Sequence, residues 1–374
     1  GVETTIAPQE FILASNQMDL IITPSEFTKE TLVKTSYTKV DKKTNQQVGQ
    51  IQLEKPVEVL FEGVDLNVYN SKSEFSILDK VDADFNFLYV GHWLQGKLGE
   101  DRKDTGMMLK VFLETFKGMK DKPALIMKTS GAGFSIIDRR DILEKIDLIK
   151  QNVKSDDLPD VYLLHGDLTD EEMNQMYNHK KVKAHLTFTH GEGFGRPLLE
   201  ASFSGKPIIA PISTGQADFL DKNYTVEIPH IMTKVPGGAF PKEYHNPEAQ
   251  WSTVNYGIAS KLMRDVHKNY KKYELKGERS IALSWEGYDD LIAGKVIFDE
   301  RNYEGTLILP LPNNDGTCNG TYSLQKDGKG IWQITCTNNM GAEGTLKWDG
   351  SGGVTGVGKD NSNKKVKFTV SKNN

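Results

Sequence analysis

The feature that most restricts the fold is a rhythm between about residues 86 and 228 of this 374-residue chain. Apolar runs at 87–90, 124–127, 161–164, 184–188, 207–210 and 225–228 have strand length, and helix-forming stretches fall between them at roughly 104–118, 138–152, 170–179 and 197–204. Strand and helix in alternation predict an α/β domain with a doubly wound parallel sheet, and place any ligand beyond the carboxyl ends of its strands. Thr169 followed by Glu172 reads as a capping box at the start of the helix near 170.

The flanks differ. Met18 to Ile22 reads as a buried strand, and Thr23-Pro24-Ser25-Glu26 as a capping box with Thr23 as N-cap, opening a helix over 24–36. Polar residues 38–55 read as a loop, and 57–61 as another strand. One β-α-β unit cannot cover both faces of a parallel sheet, so this piece needs a partner. After the sheet, a loop over 229–247 leads to expected helices near 249–272 and 281–294. From about 300, short β-type runs alternate with Asn, Asp and Gly turns, which predicts a small antiparallel module. The expected division is 1–68, 69–298 and 299–374.

Composition excludes several classes. A net charge of −5 gives no basic excess for nucleic acid, and no apolar run approaches the roughly 20 residues of a membrane span. The start, Gly-Val-Glu-Thr-Thr, has neither a charged nor an apolar leader segment, so no signal peptide is expected. It also lacks an initiator Met, which suggests a processed chain or a fragment. Two cysteines, Cys318 and Cys336, are too few for a disulfide scaffold or zinc site. They precede two neighbouring strands, which brings them near each other, and they read as two reduced, buried residues of a cytoplasmic protein in preference to a redox pair. The histidines show no metal-ligand spacing.

Residues 190–201, His-Gly-Glu-Gly-Phe-Gly-Arg-Pro-Leu-Leu-Glu-Ala, follow the 184–188 run and lead into a helix. A glycine-rich turn there frees backbone N–H groups at a helix N-terminus, where the dipole favours anions. Glu192 in the loop and Glu200 in the helix add two carboxylates, which suits a ligand carrying both phosphates and hydroxyls. Neither the Gly-x-Gly-x-x-Gly fingerprint nor a P-loop fits the spacing. The stretch resembles the Glu-x7-Glu motif of retaining GT-B nucleotide-sugar glycosyltransferases, E-G-F-G-x-P-x-x-E-A. The matches are Glu192, Gly193, Phe194, Gly195, Pro197, Glu200 and Ala201.

That resemblance covers roughly residues 16–295 and implies a nucleotide-diphosphate sugar as donor, no metal, and an acceptor that is a glycan, lipid or small molecule. It makes 1–68 the end of an acceptor-side domain, with Phe61 to Asp65 as hinge, and 69–298 the donor-binding domain. It implies that Glu192 contacts the donor sugar, that the backbone of Gly193, Phe194 and Gly195 approaches sugar and phosphates, and that Glu200 bonds the ribose. Lys103 matches the family's phosphate-binding lysine, with Arg102 beside it and His92 where arginine is common. Gly215, and more weakly Asp218, match a later turn, while Lys128 points toward the same cleft edge. His165, Gly166 and Asp167 fall where the family places residues near the base. Arg196 reads equally as a phosphate contact or a surface ion-pair partner. The rival readings are a module that binds the nucleotide sugar without transferring it, and a phosphorylase or epimerase of the same fold.

Overall fold

The computed structural model describes residues 2–41, 43–65, 67–69, 75–94, 97–222, 225–273, 277–299, 304–325, 327–348 and 353–370. The chain forms two compact units, Gly1–Glu274 and Leu275–Asn374.

The first unit opens with α1 (Gln9–Ser15), β1 (Ile21–Thr23), α2 (Glu26–Lys34), β2 (Ser36–Val40), β3 (Gln47–Gln52) and β4 (Val57–Val59). Strands β1 and β4 pair in parallel, while β2 and β3 form an antiparallel hairpin where a loop was expected. The N-cap of α2 is Ser25 and not Thr23. Thr23 is still paired with Val59 at the end of β1, and its hydroxyl donates to backbone carbonyls. Ser25 instead accepts the Thr28 N–H.

The predicted alternation then appears as β5 (Asn86–His92), α3 (Thr105–Phe116), β6 (Ala124–Ser130), α4 (Ile136–Asn152), β7 (Val161–Leu164), α5 (Asp170–Asn178), β8 (Val182–Leu186), α6 (Arg196–Ser202), β9 (Ile208–Ala210) and β10 (Thr225–Glu227). These strands make one six-stranded parallel sheet in the order β10-β9-β8-β5-β6-β7. Successive strand residues serve opposite faces. Phe87, Tyr89, Leu125 and Met127 pack in one cluster with Phe112 and Phe116 of α3 and Ile142 and Ile146 of α4. Leu88 and Ile126 pack in another with Met176 and Tyr177 of α5 and Leu198 and Ala201 of α6. This is a Rossmann-like, doubly wound sheet, and each fully buried Phe or Leu stabilises it by roughly 2 kcal/mol. The capping box of α5 forms as read, with Thr169 and Glu172 each accepting the other's backbone N–H.

The stretch 229–272 differs from expectation. A hairpin, β11 (His230–Lys234) with β12 (Gln250–Val254), precedes α7 (Tyr256–Lys268) and α8 (Tyr270–Tyr273). Trp251 and Val254 are buried as strand residues, and Asn255 caps α7 by accepting the Ile258 N–H.

The second unit begins earlier than the expected 298/299 boundary. The segment read as a helix at 281–294 is instead β13 (Gly277–Trp285) turning into β14 (Ile292–Asp299). The reason is periodicity: Ile281, Leu283 and Trp285 are buried at alternate positions, which a helix cannot place on one face. With β15 (Glu304–Pro310), β16 (Thr317–Leu324), β17 (Lys329–Cys336), β18 (Gly341–Trp348), β19 (Val354–Asp360) and β20 (Lys365–Val370) they form a closed antiparallel barrel of eight strands. The two cysteines, read as reduced, are joined in a disulfide: Cys318 and Cys336 lie directly opposite on β16 and β17.

Candidate functional site

Chain order reverses between β5 and β8. From β5 the chain steps outward to β6 and β7, and β8 then lands on the other side of β5. The carboxyl ends of strands flanking such a switch point leave a crevice that no crossover helix fills. Residues 93–94 and 97–104 follow β5 there, and 187–195 follow β8.

These two segments carry Arg102, Lys103 and Glu192 to Gly195, and they meet. Lys103 Nζ lies 2.6 and 2.7 Å from the two carboxylate oxygens of Glu192. Arg102 Nη1 donates to the Gly191 carbonyl at 2.7 Å and stands 3.4 Å from Glu192 Oε2. Lys103 and Glu192 are both buried. Burial alone raises a carboxyl's pKa, but Lys103 and then Arg102 outweigh it and hold Glu192 below its ordinary value. His92 lies near the same cations; burial first, then Lys103 and Arg102, lower its pKa.

The loop is braced by residues far away in sequence. Ser25 Oγ donates to the Gly193 carbonyl at 2.6 Å, with Thr28 Oγ1 at 3.3 Å. Thr214 Oγ1 accepts the Glu192 N–H, and the Gly215 N–H donates to the Glu192 carbonyl. A Cβ on Gly215 would stand 2.3 Å from the Gly193 carbonyl oxygen, so only glycine lets the two turns approach this closely. Gly195, at φ +99°, turns the chain into α6. With its carbonyls thus engaged, the loop leaves the N–H groups of Gly193, Phe194 and Gly195 without an acceptor among the described residues. The Phe194 ring itself is buried against Phe219.

Other expected residues sit elsewhere in the network. Glu200 does not share the partners of Glu192: it accepts from Tyr177 Oη at 3.1 Å and from Arg196 Nε at 2.7 Å. Arg196 pairs with Glu200 and, at 3.6 Å, with Asp170. Lys128 donates to the Gly166 carbonyl at 2.7 Å and lies over the Phe134 ring, so it is engaged at the β6–β7 edge. His165 meets Asp138 at 2.8 Å there. Asp218 accepts the Glu26 N–H at the start of α2. Ser25, Thr28 and Thr214 were not singled out by sequence. Ordinary Ser and Thr residues, with Ser25 and Thr28 over 160 positions from their Gly193 partner, carry no local signal. A separate open cleft of about 1230 Å³ lies on the barrel unit and holds none of these residues.

No family model and no curated protein matches the chain. Among solved structures it is similar to the C-terminal domain of a glycosyl transferase group 1 family protein (LpcC) from Francisella tularensis. The two are 17% identical, over 57% of this chain and 92% of that one, with a TM-score of 0.37. It is also similar to sucrose-phosphate synthase from Thermosynechococcus elongatus at 13% identity, covering 69% of this chain and 51% of that one, with a TM-score of 0.43. A redesigned β-barrel, mFAP1, bound to DFHBI, is 19% identical over 26% of this chain and 94% of that one, with a TM-score of 0.23.

Proposed function

We propose that the first unit is a nucleotide-sugar-dependent transferase. More narrowly, it is read as a retaining glycosyltransferase of the GT-B kind, moving a sugar from a nucleotide diphosphate to a glycan, lipid or small-molecule acceptor. The observation that carries this reading is the meeting of Lys103 and Arg102 with Glu192, beside three backbone N–H groups without acceptors, at the switch point of the sheet. Fixed cations and oriented N–H dipoles stabilise the charge that gathers on a departing diphosphate, without reorganisation during the reaction.

Glu192, ionised and held by Lys103, accepts hydrogen bonds from sugar hydroxyls. Glu200 has four lone pairs, of which Tyr177, Arg196 and Tyr69 engage three, leaving one for a ribose hydroxyl. The protein's work in this reading is positioning and electrostatics, with departure and attack on one face of the sugar and no metal. Among the described residues no helix is long and apolar enough to cross a membrane. A cytoplasmic setting would keep cysteines reduced, so the Cys318–Cys336 bond favours a compartment that permits disulfides.

The test is calorimetric titration with UDP- and GDP-sugars alongside a donor-hydrolysis assay. Glu192→Ala and Lys103→Ala are expected to abolish turnover, and Glu200→Ala mainly to weaken donor binding. Full activity in Glu192→Ala overturns the assignment. Binding without turnover makes the unit a nucleotide-sugar-binding module, and no binding defeats both.

A further inference from the structure

Directly behind the Lys103–Glu192 pair lies a second polar contact that the proposed reaction does not use. Asp104 follows Lys103 and His190 precedes Gly191, so each is covalently tied to one half of the site. Both are buried: the Asp104 side chain is 0% exposed and that of His190 2%. Asp104 adopts the left-handed backbone conformation at φ +50°, unusual for a residue with a side chain. His190 stacks on Trp251 with ring centroids 4.0 Å apart. Its backbone N–H donates to the Arg102 carbonyl, and its carbonyl accepts from Ser252 N–H.

The protonation of this contact follows from its partners. His190 Nδ1 lies 2.6 Å from the Ser252 carbonyl, which can only accept, so Nδ1 carries hydrogen. Asp104 Oδ2 accepts from Tyr256 Oη at 2.7 Å. That leaves His190 Nε2 and Asp104 Oδ1, 3.6 Å apart and both buried, with no side-chain hydrogen-bond partner among the described residues. A neutral imidazole and an ionised carboxylate would bring two lone pairs face to face, at the cost of two unsatisfied buried atoms. One proton between them satisfies both.

We propose that Asp104 and His190 share one buried proton, and that this shared-proton contact between Oδ1 and Nε2 fastens the segment carrying Arg102 and Lys103 to the segment carrying Glu192. The two are positioning residues: they touch neither other's ion pair but fix the backbone on which it stands. Only their consequence for ligand binding rests on the function proposed above.

The surroundings favour this placement of the proton. Burial raises the Asp104 carboxyl to about 7, aided by Asp101 and opposed by the Tyr256 hydrogen bond. Burial lowers His190 to about 4, opposed by the Ser252 and Gly99 carbonyls. The groups facing the pair are Asp101 and the Gly99 carbonyl on the segment after β5, Tyr256 on α7, and Trp251, Ser252 and Thr253 on β12, of which none on β12 titrates.

The sign of the linkage gives a test. Between pH 4 and 6.5 the unfolded chain holds a proton on His190 and none on Asp104. The folded chain holds one on Asp104 and none on His190, so the pair adds no slope to stability. Asp104→Asn removes the folded-state proton but supplies an amide N–H to Nε2. His190 then binds a proton only when unfolded, and folding gains with rising pH by up to about tenfold in equilibrium constant per pH unit. His190→Gln leaves the raised Asp104 alone, so folding loses by up to the same factor per unit as pH rises from 4 to 7.

Urea titrations of the full chain across pH 4–8, referenced to wild type, are expected to show these opposite slopes for the first unit's transition. Equal slopes in the two variants overturn the shared proton. A wild-type measurement guards against variants that fail to fold. In histidine-labelled protein, the His190 Nε2 ¹⁵N shift is expected to move with a midpoint near 7 while Nδ1 stays protonated; an Nε2 shift flat from pH 5 to 9 also overturns it. UDP titration at pH 6 and 8.5 reads the consequence: wild type weakens at the higher pH and Asp104→Asn does not. Failure to bind UDP at either pH counts against the proposed function alone, because the urea and ¹⁵N results do not involve the ligand.

Discussion

The two units bury different things. The first takes Asp101, Lys103, Asp104, His190, Glu192 and Glu200 out of solvent, and all of them lie in or beside the segments that follow β5 and β8. In the second, the buried side chains among the described residues are apolar or disulfide-bonded. Trp332 packs edge-on against Phe368, and the space for that ring comes from Gly356, where a Cβ would stand 2.1 Å from it. Burying a charge costs several kcal/mol unless it is paired, so such groups persist where something other than stability keeps them. The contrast accords with the proposal that the switch-point crevice is the working part of the first unit.

The largest effect should come from breaking the buried pair on one side. Glu192→Ala leaves the Lys103 ammonium buried with its main partner gone, and is expected to destabilise the first unit by about 3–5 kcal/mol in urea. Replacing both, as Lys103→Met with Glu192→Leu, should restore most of that stability while leaving the site dead. If the double variant is as unstable as the single one, the pair is a fold requirement and the contrast between the units weakens.

In the barrel the corresponding blow is Trp332→Ala. It removes a buried ring and its N–H bond to the Thr345 carbonyl, for a cost of about 3–5 kcal/mol. The expected outcome is a lower unfolding midpoint for the second unit and unchanged donor binding by the first. Reducing the Cys318–Cys336 bond comes next. It closes a loop with a sequence separation of 18, and its loss should lower the barrel's stability by about 3 kcal/mol. Loss of donor binding on reduction would show that the barrel does more than support itself.

The same contrast governs how much was legible in the sequence. The parallel sheet announced itself because each strand is a local apolar run and each crossover a helix of its own, so short windows sufficed. The site was half legible. Glu192, Lys103 and Arg102 stand on turns that follow strands, and sheet order alone brought them together. Their braces act across the fold: Ser25 lies in a stretch read only as a helix cap, Thr214 stands beside the expected Gly215, and neither cue, nor anything around Thr28, points to a contact with the loop. The start of the barrel was misread because 281–294 mixes Ala, Leu and Ile with Glu and Asp, residues as common in helices. Only the alternation of Ile281, Leu283 and Trp285 told strand from helix. Neighbouring strands placed the two cysteines close together, but the bond itself was missed because opposing register on β16 and β17 is set by pairing, which composition does not report.

The smallest predicted effects separate local capping from bracing. Thr169 and Ser25 both cap helices in the first unit, each accepting an N–H of the first turn. Thr169 is exposed and acts within α5 alone, so Thr169→Ala should cost about 1 kcal/mol in thermal or urea unfolding and leave donor affinity untouched. Ser25 is fully buried and also donates to the Gly193 carbonyl, so Ser25→Ala loses the cap and leaves a backbone acceptor of the loop with only Thr28. Its cost should approach about 2 kcal/mol, and donor binding should weaken with it. Equal stability losses with unchanged binding in both variants would show that the N-terminal segment caps its own helix and does not hold the loop.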